Sequence, residues 1–134
     1  MGAWDIKAFD NDDAMDWLEE LDKSDGLRVL SNALRKSLMN TLFMEAPKAS
    51  MIIAAAEIIC SAKLGDVSEL PEPAKKWVQR NDVENFAKLK KPAIKALGSV
   101  LSINSELRWL WFGNRELNHT WRKYVLSLIE TLKS

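Results

Sequence analysis

The segment Pro47–Gly65 reads PKASMIIAAAEIICSAKLG, and its pattern decides the fold. Met51, Ile52, Ile53, Ala54, Ala55, Ala56, Ile58, Ile59, Cys60 and Ala62 put apolar groups on nearly every side of a helix. A helix without a polar face buries all of its sides, so residues 48–64 are predicted to be the central rod of a bundle. Pro47 suits the first helical position, where its missing N–H would lack a partner anyway, and Gly65 suits the stop. The longest apolar stretch, Met51 to Cys60, is far shorter than the ~20 residues that span a bilayer, and it contains Glu57.

Helical periodicity continues on both sides of this rod. Upstream, Ala14, Trp17, Leu18 and Leu21 fall at i, i+3, i+4 and i+7 of an acidic helix. Asp10 is placed as its N-cap, Phe9 and Ala14 as a hydrophobic staple, and Asp12 and Asp13 at the positive end of its dipole. After Asp25-Gly26, a second helix carries Leu27, Leu30, Leu34, Leu38 and Leu42. Downstream, Leu64 to Glu72 reads as a loop, because each proline of Leu70-Pro71-Glu72-Pro73 disfavours helix in the residue before it. A short helix follows from Ala74 to Arg80. Asn81 or Asp82 then caps a longer one reaching Leu101, which Pro92 kinks or divides. Glu106 to Phe112 forms a helix closed by Gly113-Asn114. In the last helix, Glu116 to Leu132, the residues Leu117, Trp121, Tyr124, Val125, Leu128 and Leu132 share one face. No strand of useful length, repeat or low-complexity tract appears. The expectation is one all-α domain over residues 1–134, a bundle of roughly five to seven helices, with residues 1–10 packed on it through Trp4 and Phe9.

Composition narrows the function classes. The chain has 134 residues and a mass of 15.2 kDa, with 47% apolar and 28% charged residues. Cys60 is the only cysteine and His119 the only histidine, which excludes an internal disulfide and a zinc cage. The 19 basic and 19 acidic residues cancel, so whole-molecule attraction to nucleic acid or membrane is not expected. The charge is nevertheless polarised. Residues 1–25 hold nine acids against Lys7 and Lys23, a net −7, and the remainder, with ten acids and seventeen bases, carries +7. No secretory apolar region opens the chain, and the expected location is cytoplasmic.

Few residues suggest chemistry. An EF-hand loop started at Asp10 would put Met15 where the glycine belongs and Leu21 where the bidentate glutamate belongs. Capping and dipole pairing explain Asp10, Asp12 and Asp13 better, and neither a metal nor a cofactor is expected. Glu57 shares a narrow stripe with Ser50, Ala54 and Ser61, and a carboxylate withdrawn from water needs compensation. It is a catalytic acid with a raised pKa, a structural acid bound to N–H groups of the N-terminal loop, or an acid that reaches solvent along the serines. The structural readings are preferred, since no second carboxylate lies at i+3 or i+4. His119 reads as a partly exposed helix residue and Cys60 as inert packing. The glycines are too dispersed for a phosphate loop.

Two stretches are candidate interaction surfaces. Trp109-Leu110-Trp111-Phe112 is too apolar for one stripe, and burial of both its faces is expected in preference to an exposed hot spot. Lys75 to Lys95 is lysine-rich with Trp77 and Phe86 nearby, but it lacks any nucleic-acid-binding signature and reads as a solvated face.

The N-terminal segment resembles a family of small, mostly bacterial proteins of unknown function. The residues that carry the likeness are Trp4, Phe9, Asp10, Asn11, Asp12, Ala14, Asp16, Trp17 and Leu18. It continues through Ala54 to Ile59, Leu70-Pro71, Ser105-Glu106-Leu107 and Trp111, so it covers most of the chain. Where that family usually has Gly after its first Trp, this chain has Asp5. The resemblance implies no activity, cofactor or catalytic residue; at most it implies an immunity or accessory role beside a toxin. The expected function is a non-enzymatic protein-binding module. It would meet a basic partner, such as a toxin domain, through Asp12, Asp16, Glu19, Glu20 and Asp22. The first alternative is a hydrolase or metal-dependent enzyme using Glu57 with the Asp10–Asp13 cluster. The second is nucleic-acid binding through Lys75–Lys95.

Overall fold

Helix α3 (Ala46–Leu64) is the rod around which the other helices are wound. The structure is a computed structural model, and it describes residues 6–39, 43–81 and 83–134. Around α3 lie α1 (Asp12–Asp22), α2 (Arg28–Met39), α4 (Glu72–Arg80), a 3-10 helix (Val83–Leu89), α5 (Lys90–Val100), α6 (Glu106–Phe112) and α7 (Arg115–Lys133). The fold is an all-α bundle of seven α-helices, and no strand occurs among the described residues. Helix α3 packs against every other one of these elements. Its alanines Ala49, Ala54, Ala55 and Ala56 are fully buried, as are Ile52 and Ile58. Pro47 sits in its first turn, and Gly65 ends it at φ 70°, a left-handed conformation that a side chain would strain.

Side chains distant in sequence close the ends of this rod. Met44 pairs with Ser105 in an isolated parallel bridge. Beside it, the Glu106 carboxylate accepts the Ala46 N–H at 2.7 Å, so one free donor at the start of α3 is satisfied from another helix. At the other end, Lys63 Nζ donates to the carbonyls of Thr131 at 2.7 Å and Leu132 at 3.4 Å, and also to that of Ser134. This places a cation at the negative end of α7.

One local expectation is corrected and two others are made specific. The N-cap of α1 is Asn11, not Asp10: Asn11 Oδ1 accepts the Ala14 N–H at 2.8 Å, and Nδ2 donates to the Ala8 carbonyl at 3.3 Å. An amide donates and accepts together, whereas a carboxylate only accepts. The shifted cap also removes the Phe9–Ala14 staple from its required positions. Gly113-Asn114 closes α6 as expected, the Asn114 N–H donating to the Trp111 carbonyl at 3.1 Å, and the Asn114 side chain also caps α7, accepting the Leu117 N–H at 3.1 Å. Leu117 is exposed although it lies on the apolar side of α7. Pro92 divides its helix rather than kinking it, because it falls in the first turn of α5, where the N–H it lacks has no helical partner. Trp4, Leu42 and Asp82 lie outside the described residues.

The acidic start and basic middle of the chain meet at one corner. Arg80 of α4 pairs with Asp25 at 3.2 Å and Asp22 at 3.4 Å, and donates to the backbone carbonyls of Asp22 and Ser24. Trp77 Nε1 donates to the same Ser24 carbonyl at 3.1 Å. Gly26, at φ 77°, turns the chain there and donates its N–H to Asn81 Oδ1 at 2.8 Å.

Candidate functional site

Glu57 is the polar exception on α3, and three elements converge on it. Tyr124 of α7 donates its hydroxyl proton to Glu57 Oε2 at 2.8 Å. The same hydroxyl accepts the Ala8 N–H at 3.2 Å, which ties the N-terminal segment to the bundle. Glu57 therefore reaches that segment through the Tyr124 phenol, while Ser50 and Ser61 are buried and offer no polar path to solvent. Burial raises the Glu57 carboxyl above its usual range; the Tyr124 hydrogen bond and the nearby Lys7 charge work against that rise, and Glu69 adds to it. Burial and the neighbouring carboxylate also push the Tyr124 phenol up, so it stays protonated and serves as the donor.

These groups line a cleft of about 340 Å³ together with Lys7, Phe9, Asp10, Met15, Glu69, Leu70 and Pro71. The cleft unites Glu57 with Asp10, but Asp12 and Asp13 sit in the first turn of α1 and do not line it. An enzyme reading on the whole Asp10–Asp13 cluster is therefore not assembled here. The arrangement can hold or release a proton at Glu57; no serine, cysteine or histidine lines the cleft to act as nucleophile or relay. Among the described residues, no three His, Cys, Asp or Glu side chains form a group able to hold a metal ion.

The acidic residues of α1 divide into two sets. Asp12, Asp16, Glu19 and Glu20 are exposed and form no salt bridge among the described residues. Their spacing lines up Asp12, Asp16, Glu19 and Glu20 on the side of α1 opposite Ala14, Leu18 and Leu21. Asp22 is committed to Arg80 instead. Trp17, from the same helix, is a core residue.

The α6 corner overturns the expected burial of the aromatic run. Leu107 and Trp111 are buried, but Trp109 is 51%, Leu110 42% and Phe112 60% exposed, and the neighbouring Ile103 is 66% exposed. Helix α6 has only seven residues and packs chiefly on α7 and α3, with the side that carries Trp109, Leu110 and Phe112 turned outward. The exposed rings are ordered by local contacts: Trp109 Nε1 donates to the Ile103 carbonyl at 2.8 Å, Phe112 lies 5.5 Å away, and the Arg108 guanidinium sits 5.8 Å from the Trp109 ring.

The remaining candidates are quieter. Trp77 and Phe86 stack on each other at 5.7 Å and are buried, so neither is available to a nucleic-acid base. Lys76, Lys88, Lys91 and Lys95 are solvent-facing, while Lys75 lies 3.9 Å from Glu72. His119 is exposed on an open groove along α7 with Arg115, Arg122 and Lys123. Cys60 is buried, and burial pushes its thiol up to about 12. Alkylation by iodoacetamide at neutral pH is accordingly expected to be negligible in the native protein and rapid after denaturation, as mass spectrometry would show. Prompt native labelling would mean that the rod is open.

A family model for a domain of unknown function, DUF4259, matches residues 2–124. The chain belongs to the DUF4259 family. No curated protein and no solved structure gives a significant match. The DUF4259 match spans all seven helices as far as Tyr124, which includes the Glu57 cleft, the α1 acids and the α6 corner. Among the described residues, no helix of this DUF4259 chain is long and apolar enough to cross a membrane.

Proposed function

We propose that this DUF4259 protein is a non-enzymatic protein-binding module whose principal contact is the α6 corner. The observation that carries the reading is the exposure of Trp109, Leu110 and Phe112 in one turn. Burying these side chains elsewhere in the fold would release about 1.5–3 kcal/mol each, so their outward placement is a stability sacrifice that a partner can recover. Tryptophan and arginine are the side chains enriched at binding hot spots, and Arg108 and Trp109 are already ordered against each other. Preordered groups lose less entropy on binding.

The test is a comparative capture from the native host with wild-type protein and a Trp109→Ala/Phe112→Ser variant of unchanged circular dichroism. A partner held by the wild type should be lost by the variant, with affinity reduced by roughly 30-fold or more for loss of a ~2 kcal/mol hot spot. Equal capture by both proteins overturns the reading.

A second reading rests on a separate observation, the exposed Asp12, Asp16, Glu19 and Glu20, which form no salt bridge among the described residues. In it the protein is an immunity or accessory protein that steers a basic partner, such as a toxin domain, onto α1. Reversing Asp16, Glu19 and Glu20 to lysine should then slow association with such a partner by about ten-fold or more at low salt. An unchanged association rate sinks this version.

A further inference from the structure

The Glu57 cleft is a formed recess that a contact at the α6 corner leaves unused. Helices α3 and α7 bring the Glu57–Tyr124 pair to it. Its other walls come from residues 7–10, from Met15 of α1 and from the Glu69-Leu70-Pro71 turn that precedes α4. At about 340 Å³ it lies at the small end of the range that holds organic ligands, and it combines apolar walls with a small set of polar groups. Three of those groups are carboxylates, Asp10, Glu57 and Glu69, against the single ammonium of Lys7, so the cleft attracts a cation.

Glu57 has acceptor capacity to spare. Its Oε2 accepts the Tyr124 hydroxyl proton, and its Oε1 accepts no hydrogen bond among the described residues. The buried side-chain oxygens left without a partner there are Ser105 Oγ and Asn118 Oδ1, so Glu57 Oε1 is open to the cleft. No salt bridge reaches Glu57 among the described residues, and Lys7, the nearby cation, is itself exposed. An ionised carboxylate partly withdrawn from water is costly until a cation with hydrogen-bond donors accompanies it. A bare metal ion does not suit the place, because no three acids, histidines or cysteines gather to ligate one among the described residues. One open carboxylate oxygen beside Phe9, Met15 and Leu70 instead matches an N–H-bearing head on a short hydrocarbon stem.

We propose that this cleft binds a small alkylammonium ion, its head donating to Glu57 Oε1 and its stem lying along Phe9, Met15 and Leu70. Asp10 and Glu69 add attraction at longer range. The Tyr124 hydroxyl keeps the Glu57 carboxylate in place while the second oxygen takes the ligand. The site shares no residue with the α6 corner, so the two readings stand or fall independently.

Amide chemical shifts of the full chain, titrated at pH 7 and fixed ionic strength with n-butylammonium, 1-butanol or butyrate, test this. The three probes share a hydrocarbon stem and differ in charge, and the amine is fully protonated at that pH. n-Butylammonium should give saturable shifts at Ala8 and Glu57, with a Kd on the order of 1–10 mM for so small a ligand. The alcohol and the acid should bind at least about ten-fold more weakly. Glu57→Gln keeps an acceptor for the Tyr124 hydroxyl and should weaken n-butylammonium binding by about ten-fold or more. Asp16→Asn removes an exposed acid outside the cleft and should bind as the wild type does. Circular dichroism confirms the fold of both variants. The proposal is overturned by an absence of saturable shifts up to about 100 mM n-butylammonium. Equal binding of the alcohol or the acid overturns it as well, and so does undiminished binding by Glu57→Gln. A loss at Asp16→Asn as large as at Glu57→Gln would show diffuse attraction by surface charge and would also overturn it.

Discussion

Replacing Trp77 by alanine is expected to lower the free energy of unfolding by about 3–5 kcal/mol, a large share of the stability of a domain this size. The indole is fully buried, stacks on Phe86 and donates its N–H to the Ser24 carbonyl. It thereby joins α4, the 3-10 helix and the α1–α2 turn at one point. Truncation would leave a cavity among fixed neighbours and deprive Ser24 of a donor, and Arg80, which also binds that carbonyl, would be left to hold the turn. Urea titration followed by circular dichroism measures the loss. Trp109→Ala, at an exposed position, is the matched control and should change stability by no more than about 0.5 kcal/mol. A loss below about 1 kcal/mol at Trp77 would show that this corner is not closed.

The second large effect belongs to Glu57, and its sign depends on pH. Its carboxyl titrates above the usual value in the folded chain, chiefly through burial, so the native state binds the proton more tightly than the unfolded state. Between the ordinary carboxylate pKa and the raised native one, unfolding releases a proton. Stability then falls as pH rises through that window and stays at the lower level above it. Glu57→Gln keeps an acceptor for the Tyr124 hydroxyl but has no charge to desolvate. The variant should be more stable than the wild type at neutral pH, and the difference should shrink as pH falls towards 4.5, the unperturbed carboxyl value. Glu57→Leu behaves oppositely. It leaves the Tyr124 O–H without its acceptor and should lose about 1–3 kcal/mol near pH 4, a deficit that shrinks as pH rises because only the wild type carries the cost of the ionised carboxylate. Thermal melts of the three proteins between pH 4 and 8 separate these outcomes. A Gln variant less stable than wild type at pH 7 would show that the ionised carboxylate is favourable where it sits.

These two positions show how unevenly tertiary information is written along the chain. The burial of Trp77 follows from a local pattern, because Ala74, Trp77 and Val78 share one helical face. The partner of Glu57 does not, since Tyr124 lies 67 residues away and reads locally as one more member of an apolar face. The expected α1 cap at Asp10 fails although Asp10, like Asn11, carries an accepting oxygen. Asn11 prevails through the Ala8 carbonyl, an acceptor that exists only once the N-terminal segment has folded back. The same holds for Glu106, whose role at the start of α3 depends on the bridge between Met44 and Ser105.

The α6 corner marks the limit of periodicity as a guide. Apolar spacing identifies which residues share a side of a helix, and it correctly groups Leu107 with Trp111. It does not reveal whether another helix covers the other side, and here Trp109 and Phe112 are left exposed. The acids of α1 divide for a similar reason: only Asp22 lies within reach of Arg80, whereas Asp12, Asp16, Glu19 and Glu20 face solvent.

Local covalent order therefore determined the all-α class, the central rod and the helix boundaries near Pro47, Gly65 and Pro92, because periodicity and proline geometry act over a few residues. Only the packed structure decided the Glu57–Tyr124–Ala8 connection, the closure of the helix ends and the outward face of α6. Those features depend on which distant segments come within hydrogen-bonding or van der Waals distance, and no stretch of sequence contains that by itself.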